Sequence, residues 1–314
     1  MARNKVAVIG AGNVGGTVAQ WLAMEHLADI VLIDINAGLA KGKALDLMQA
    51  MLMQGTGVKV SGGDDYSMIE GAKIVVITAG VPRKKDPKTG KFPSRDELVK
   101  TNQGIVGEIS KKVAQYAPDS IIIVVSNPLD AMCHVALQES GFSSRRVIGQ
   151  AGALDTARYK TFIASELNVN VHNVHGITLG GHGDQMVPMT RQTSVSGIPI
   201  MELMDKKTLD DIVERTRKGG GEIVSLMGYS GYYAPAAGTV YMVASILNDL
   251  KRVVPSSVYL TGQYGYHRLY MGVPVVLGWN GVERIIEMEL NEEEKTMLDA
   301  SAASVKKVVE ILGF

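Results

Sequence analysis

The stretch 5-KVAVIGAGNVGGTVAQWLAMEHLADIVLID-34 decides the fold, because it contains a strand, a glycine loop, a helix, a second strand and a terminal acid without a gap. Residues 6–9 form an unbroken apolar run, as expected of a parallel strand that is covered on both faces. A helix is predicted from Val14 to Met24, and its positive end with free N–H groups faces the glycine loop. This order predicts a βαβ unit of a doubly wound parallel sheet.

The loop between the first strand and the helix predicts a dinucleotide site. Gly10 would permit the tight turn, Gly12 would let the backbone approach a pyrophosphate, and Gly15 would let helix and strand pack closely. Asp34 ends the second strand, where a carboxylate binds an adenosine ribose and repels the 2′-phosphate of NADP. The alternative is an ordinary glycine turn, but the strand, helix and acid together favour a dinucleotide site. The acid favours NAD over NADP. The residues expected at the cofactor are Gly10, Ala11, Gly12, Asn13, Val14, Gly15 and Asp34.

The composition narrows the class of protein. Lys+Arg and Asp+Glu are equal at 32 each, so no global field attracts nucleic acid or an acidic membrane. The single cysteine, Cys133, excludes an internal disulfide framework and a zinc-binding cysteine cluster, so we expect no metal and a reduced, cytoplasmic setting. No apolar stretch approaches the ~20 residues that a membrane span needs.

The length of 314 residues is enough for two domains. Apolar runs alternate with helical stretches in the first half, which predicts an N-terminal Rossmann domain over residues 1–150. After that the pattern changes to long helices and antiparallel strands, which predicts a C-terminal α+β substrate domain over residues 151–314. The first-half runs are Val58 to Val60, Ile74 to Thr78, Ile121 to Val125 and Val147 to Gly149.

Two helices carry further expectations. Apolar residues recur at helical spacing from Ala37 to Gln54, and we interpret the methionines there, Met48 and Met51, as core filling. The last helix is predicted to begin after a cap at Asn291, with three glutamates in its positive first turn.

Three polar residues of the second half suggest acid–base chemistry. His182 follows an apolar run in GITLGGHGDQMVP and is flanked by glycines, so a ligand can reach it, although such a histidine can also be structural or solvated. Asp155 and Arg158, in ALDTARY, are three apart and share a helix face. One interpretation is a local ion pair that contributes little to stability. The other gives the two residues separate roles, in which the carboxylate orients an imidazole and the arginine binds a substrate carboxylate.

Asn127 ends the run IIIVVSN, at the carboxyl end of a strand where open parallel sheets bind ligands, although it could also be a turn asparagine. Arg83 and Arg95 bracket a segment rich in Pro, Gly and Lys, for which we expect a mobile surface loop. Taken alone, these two arginines would indicate nothing.

In chain order the motifs resemble the lactate/malate dehydrogenase family, specifically its malate dehydrogenases of lactate dehydrogenase-like type. The resemblance covers essentially the whole chain, and GGHGD together with LDTAR and VSNP is highly specific. The family's order and approximate spacing are kept by GAGNVG, AGVPRK, SRDELVKTN, VSNPLD, GALDTARY, GGHGD, YYAPAA and GVPVVLG.

The resemblance implies reversible hydride transfer between (S)-malate and NAD, with a role for each matching residue. His182 would exchange the hydroxyl proton and Asp155 would orient the imidazole. Arg158 would bind the carboxylate next to the reacting carbon, Asn127 would hold the reacting oxygen, and Arg95 would polarise the carbonyl and exclude water as its loop closes. Positions that line the nicotinamide end of the cofactor site in the family are matched by Asn102, Val125, Ser126 and Asn127.

Arg83 carries the expected substrate choice. In the family this position faces the variable end of the substrate, where malate enzymes have arginine and lactate enzymes usually glutamine. A second substrate carboxylate gives the guanidinium a bidentate partner, whereas a methyl group leaves a desolvated charge unpaired. Between Arg83 and Arg95 the chain departs from the family by an apparent insertion of about six residues, KKDPKTGKFPS replacing a short spacer, while the flanking motifs AGVPRK and SRDEL are kept.

The same-class alternative is a lactate or broad 2-hydroxy-acid dehydrogenase, which Arg83 disfavours. A different-class alternative is a nucleotide-binding sensor or scaffold without catalysis, which the presence of His182 and Arg158 disfavours. Family members are dimers or tetramers, so the resemblance also implies a homo-oligomer, a homotetramer in the first place and a dimer in the second.

Overall fold

The fold is described from a computed structural model that covers residues 3–81 and 95–313. Strands and helices alternate through most of the first half. They are β1 (Lys5–Ile9), α1 (Asn13–Met24), β2 (Asp29–Ile33), α2 (Ala37–Met53), β3 (Val60–Gly63), β4 (Ile74–Ile77), α3 (Arg95–Tyr116), β5 (Ile121–Val124), α4 (Leu129–Ser140) and β6 (Val147–Gly149). The exception is that β3 and β4 follow one another with only a short 3-10 turn between them.

The second half has short strands, long helices and a meander of antiparallel strands. They are α5 (Gly152–Leu167), β7 (Val174–His175), β8 (Thr178–Leu179), β9 (Val187–Pro188), β10 (Ser194–Val195), β11 (Ile198–Pro199), α6 (Ile200–Leu203), α7 (Lys206–Met227), α8 (Tyr233–Leu247), β12 (Arg252–Thr261), β13 (His267–Gly278), β14 (Gly281–Ile285) and α9 (Glu292–Leu312).

The first six strands form a parallel sheet in the order β3-β2-β1-β4-β5-β6. In its centre Ala7 of β1 pairs with Val31 of β2 on one side and with Val75 of β4 on the other. Successive β1 residues bury into different cores, Val6 and Val8 on one face and Ala7 and Ile9 on the other. The doubly wound parallel sheet predicted from the unbroken apolar runs is therefore confirmed.

The sheet does not stop at the predicted boundary between the two domains. β6 pairs with β12 in antiparallel fashion at Gly149 and Ser257, and β13 and β14 follow, which gives a sheet of nine strands. The C-terminal half is therefore joined to the N-terminal half by hydrogen-bonded backbone as well as by helix packing.

The last helix begins as the sequence predicted. Asn291 accepts a hydrogen bond from the Glu294 backbone N–H at 2.8 Å, and the Glu294 carboxylate accepts one from the Asn291 N–H at 2.9 Å. This reciprocal capping box places Glu292, Glu293 and Glu294 in the positive first turn of α9. α9 packs against α3 and α4, so its correct start fixes one wall of the site described below.

The interpretation of α2 was only half right. Met51 is buried, but Met48 is 40% exposed, and Leu45, Leu52 and Met53 are more exposed still. The reason is that α2 packs on the sheet through a narrow stripe of Ala40, Ala44 and Met51, and so leaves a broad apolar face uncovered. Within residues 3–81 and 95–313 no helix has the length and apolar character to cross a membrane.

Candidate active site

The glycine loop has the geometry of a phosphate cradle. Gly10 has φ +104°, and a Cβ there would lie 2.8 Å from Thr78 Oγ1. A Cβ on Gly15 would collide with the Gly10 carbonyl oxygen. Gly12 differs, because no atom of the described chain lies within 4 Å of the Cβ position. The packing of the protein accounts for the first and third glycines, whereas the second leaves open backbone for a ligand.

Asp34 anchors the loop from the neighbouring strand. Its Oδ2 accepts a hydrogen bond from the Ala11 N–H at 2.7 Å, and its Oδ1 accepts one from the Asn36 N–H at 2.9 Å. The carboxylate remains half-buried at the end of β2. α1 begins after Gly12 without a side-chain cap, so its first N–H groups are left for an anion. These features fit an adenine dinucleotide, with the diphosphate at the start of α1 and a ribose at Asp34.

The ends of β4 and β5 are fastened together by Asn102 of α3. Its Nδ2 donates to the Asn127 carbonyl at 2.7 Å, and its Oδ1 accepts from the Val81 N–H at 2.7 Å. Ser126 donates to the Ala79 carbonyl at 2.5 Å and is buried. Val125 is half-buried and the Asn127 side chain is exposed. Asn102 and Ser126 thus hold the backbone in place, while Asn127 is left accessible to a ligand.

His182 and Asp155 meet across 27 positions of sequence. The imidazole Nδ1 lies 2.9 Å from Asp155 Oδ2, and the carboxylate is only 2% exposed. Asp155 is in the first turn of α5, and His182 is in the loop between β8 and β9. Because Nδ1 is engaged by the carboxylate, Nε2 is the nitrogen left to exchange a proton.

The loop backbone just before His182 has almost no room for a side chain. A Cβ on Gly180 would lie 2.6 Å from Ser301 Oγ, and one on Gly181 would collide with Val305. Gly183, on the other side of the histidine, faces open space. The two preceding glycines therefore let the loop lie against α9, and the following one leaves the imidazole approachable.

Arg158 lies one turn along α5 from Asp155. Its Nη1 is 3.5 Å from Asp155 Oδ1 and donates to the Thr216 carbonyl at 3.1 Å. A Cβ on Gly219 would lie 2.7 Å from Arg158 Nε, so α7 makes room for the guanidinium at that glycine. In the part of the chain that the structure describes, Arg158 Nε and Nη2 make no hydrogen bond, and this edge can take a carboxylate.

The charges around His182 and its burial act on the imidazole pKa in opposite directions. Burial by itself lowers the pKa of the imidazole, but the charge and hydrogen bond of Asp155 and the charge of Asp130 outweigh it, and the pKa is raised above the ordinary value. Arg158 acts weakly in the other direction. These neighbours favour the protonated imidazole of His182 relative to a free one, as an acid and base for proton exchange requires.

A cavity of about 410 Å³ opens beside His182. Its walls come from the start of α4, the GGHGD loop and α9, with Leu98 of α3 at one side. The volume suits a small organic acid together with one end of a cofactor. The sequence did not reveal the wall from α9, which consists of Ser301, Ser304, Val305 and Val308.

Two residues that hold the His182 loop were missed. Asp130 Oδ2 accepts the His182 backbone N–H at 2.9 Å, and Ser301 Oγ accepts the Gly181 N–H at 2.9 Å. Asp130 belongs to the motif VSNPLD, but an aspartate in the first turn of a helix is ordinarily interpreted as an N-terminal charge. Ser301 lies on the apolar stripe of α9, where a small residue gives no signal of its own.

Arg83 lies outside the described residues, as does the predicted mobile loop. α3 begins at Arg95, whose side chain is also outside what the structure describes. The sequence-predicted residues that are brought together are therefore His182, Asp155 and Arg158 in one group, and Asn102, Ser126 and Asn127 in another.

Two family models together match nearly the whole chain. Residues 4–149 match the model for the NAD-binding domain of lactate/malate dehydrogenase, and residues 152–312 match that for its α/β C-terminal domain. A malate dehydrogenase of Symbiobacterium thermophilum is 52% identical over 314 residues, which cover 99% of this chain and 98% of the relative.

Solved structures agree as well. The malate dehydrogenase of Salinibacter ruber superposes with a TM-score of 0.93 at 45% identity, covering 98% of this chain and 97% of the other. The lactate dehydrogenase of Cryptosporidium parvum, solved with lactic acid and NAD, superposes with a TM-score of 0.94 at 39% identity, covering 100% and 99%. The chain belongs to the lactate/malate dehydrogenase family and is an NAD-dependent oxidoreductase that acts on a CH–OH group.

Proposed function

We propose that this protein is a malate dehydrogenase that interconverts (S)-malate and oxaloacetate, with His182 as acid and base. The observation that carries the proposal is the His182–Asp155 pair at 2.9 Å, with the guanidinium of Arg158 one helical turn away and a cavity alongside. Relatives of about 50% identity over the whole chain carry the name malate dehydrogenase, which favours malate over lactate.

In the oxidation direction His182 Nε2 takes the hydroxyl proton of malate while the hydrogen on C2 leaves as hydride. When bound, NAD supplies the acceptor for that hydride at its nicotinamide ring. Asp155 holds the imidazole in one orientation and stabilises the imidazolium that forms. Arg158 binds the carboxylate next to C2 in a bidentate manner, and Asn127 holds the reacting oxygen.

The two residues outside the described side chains complete the proposal from sequence. Arg95 would stabilise the carbonyl oxygen of oxaloacetate, and Arg83 would bind its second carboxylate. The cofactor would lie along Gly10, Ala11, Gly12, Asn13, Val14, Gly15 and Asp34, and its nicotinamide end near Asn102, Val125, Ser126 and Asn127. We retain the division into a cofactor domain, 1–150, and a substrate domain, 151–314.

The deciding experiment is the initial rate of NADH oxidation with oxaloacetate and with pyruvate, for the wild type and Arg83→Gln. We expect oxaloacetate to be preferred by roughly a thousandfold or more, and the variant to lose much of that preference. Lys84→Gln is the matched control, because it removes an adjacent positive charge and should leave the preference intact. Equal or faster use of pyruvate by the wild type would favour the alternative, a lactate or broad 2-hydroxy-acid dehydrogenase.

We further propose a cytoplasmic homotetramer, or else a dimer, that works in the tricarboxylic acid cycle. A self-association surface is supported by the apolar face of α2 together with Leu226 and Tyr233, all of which are exposed in the single chain. Light scattering on the wild type and on Leu52→Lys tests it. The wild type should have the mass of four or two chains, and the variant should dissociate. A wild-type monomer would contradict it.

A further inference from the structure

The buried carboxylate of Asp130 lies directly behind the His182 loop. It is the second residue of α4, 6% exposed, and it has no part in the proton exchange proposed above. One oxygen accepts the His182 backbone N–H at 2.9 Å. The other accepts the Ser257 hydroxyl at 2.6 Å, from the middle of β12. Asp130 thus ties the histidine loop to a strand of the central sheet.

The charge of Asp130 has little local compensation. No Lys or Arg forms an ion pair with it anywhere in residues 3–81 and 95–313. It is stabilised by two hydrogen bonds and by the positive end of α4. Burial raises the pKa of Asp130 above the ordinary carboxyl value, and the nearby charge of Asp155 adds a smaller effect in the same direction. The Ser257 hydroxyl and the His182 N–H both donate to the carboxylate, which opposes this shift and favours the ionised form.

A buried carboxylate that lacks a fixed cation gains most when a cation forms beside it. The groups that face the imidazole are Asp155 and Arg158 from α5 and Asp130 from α4, and α9 and β12 contribute the uncharged Ser301 and Ser257. Among these, Asp155 contacts the ring and Asp130 contacts the backbone of the same residue. The histidine therefore lies between two carboxylates with separate attachments.

We propose that Asp130 is a positioning residue for the hydride-transfer reaction, which fixes the His182 loop through its backbone and, as a carboxylate, stabilises the imidazolium form of His182. This inference rests on the proposed role of His182 as acid and base. It differs from a purely structural clamp because it requires the negative charge, and not only the hydrogen bonds.

Two variants separate charge from hydrogen bonding. Asp130→Asn can still accept the His182 N–H and can donate to Ser257, so it removes chiefly the charge. Ser301→Ala is the matched control, because it removes the acceptor of the Gly181 N–H in the same loop and leaves the charge in place. The measurement is the NMR titration of the His182 imidazole, assigned by its absence in His182→Asn, in parallel with the pH profile of kcat/KM for oxaloacetate.

In Asp130→Asn the His182 titration and the fall of kcat/KM should both move to lower pH, while Ser301→Ala leaves both midpoints where the wild type has them. An unmoved midpoint in Asp130→Asn, whatever its activity or stability, overturns the proposal. If Asp130→Asn does not fold, Ser257→Ala replaces it, because loss of the donor lets Asp130 take a proton more readily and should move the midpoint in the same direction. The NMR titration needs no turnover, so it remains decisive even if oxaloacetate proves not to be a substrate.

Discussion

Two shielded histidines, His182 and His134, show how neighbours decide what an imidazole does. His134 lies on α4 and packs edge-on against the rings of Tyr259 and Tyr270, with centroids 5.8 and 5.0 Å away. Its Nε2 accepts the Tyr270 backbone N–H at 3.2 Å. Burial among these groups lowers its pKa to about 4, because the loss of water disfavours the charged imidazolium.

His182 is also partly withdrawn from water, yet its pKa is raised, because two carboxylates face it. A histidine that meets only an N–H donor and aromatic rings stays neutral and acts as an acceptor. A histidine between carboxylates beside a cavity can carry a proton. The difference lies in the charge of the neighbours, which the residue type and its burial do not reveal.

The largest expected effect comes from removing the proton carrier itself. His182→Asn should lower kcat by about 10³-fold or more, since proton transfer to the reacting oxygen then has no partner. NADH binding, measured by fluorescence, should stay within about twofold of the wild type, because the glycine loop and Asp34 are untouched. Appreciable residual turnover would remove His182 from its assigned role and end the functional contrast with His134.

The second change makes the surroundings of His182 more like those of His134. Asp155→Asn removes the carboxylate on Nδ1, so kcat/KM for oxaloacetate should fall roughly a hundredfold or more. Reduction needs protonated His182, so kcat/KM declines as the pH rises through the His182 pKa. Because Asp155 raises that pKa, the decline should begin at lower pH in the variant. A pH profile with an unchanged midpoint would contradict this assignment of the charge.

The third prediction concerns His134 and stability. Its folded pKa of about 4 lies below the ordinary 6.5, so the unfolded chain binds the proton more readily between these values. The contribution of neutral His134 to the free energy of unfolding is therefore fully present above about pH 6.5, and it is lost as the pH falls towards 4. Relative to His134→Gln, the wild type should lose about 2 kcal/mol of unfolding free energy between pH 7 and pH 5, measured by urea denaturation. Equal losses in both proteins would refute the buried neutral state.

The sequence predicted the parts of this contrast that arise from local pattern. Apolar runs predicted the parallel strands, except that the run from Val58 to Val60 overlaps β3 (Val60–Gly63) only at Val60. Glycines on both sides of His182 marked it as reachable, whereas His134, on an apolar helix, gave no such signal. Asp130 was not predicted, because its partners Ser257 and His182 are 127 and 52 positions away. The pairing of β6 with β12 was not predicted either. It rests on one residue pair, Gly149 with Ser257, and the spacing of apolar residues along the chain does not indicate which strands pair across such a distance.

The uncovered face of α2 is a second feature that local sequence patterns did not predict. Helical spacing predicts that the apolar residues share faces, but it does not say which face meets the sheet. Met48 and Met51 are three apart, and only Met51 lies on the stripe that packs against the sheet. Arg83 differs from both methionines. Its proposed role in substrate binding comes from a resemblance alone, and the residue itself lies outside the described residues.

The smallest expected effect separates the ring beside His134 from its hydroxyl. The Tyr270 hydroxyl donates a hydrogen bond to the Val147 carbonyl at 3.2 Å, while the Tyr270 backbone N–H donates to His134 Nε2. Tyr270→Phe keeps the ring and the N–H, so it should cost about 1 kcal/mol of unfolding free energy for one buried hydrogen bond. Because no proton on His134 is involved, the loss should be equal at pH 7 and pH 5. A larger loss at pH 5 would mean that the hydroxyl also contributes to the environment of His134, and the apolar setting inferred for that histidine would then be incomplete.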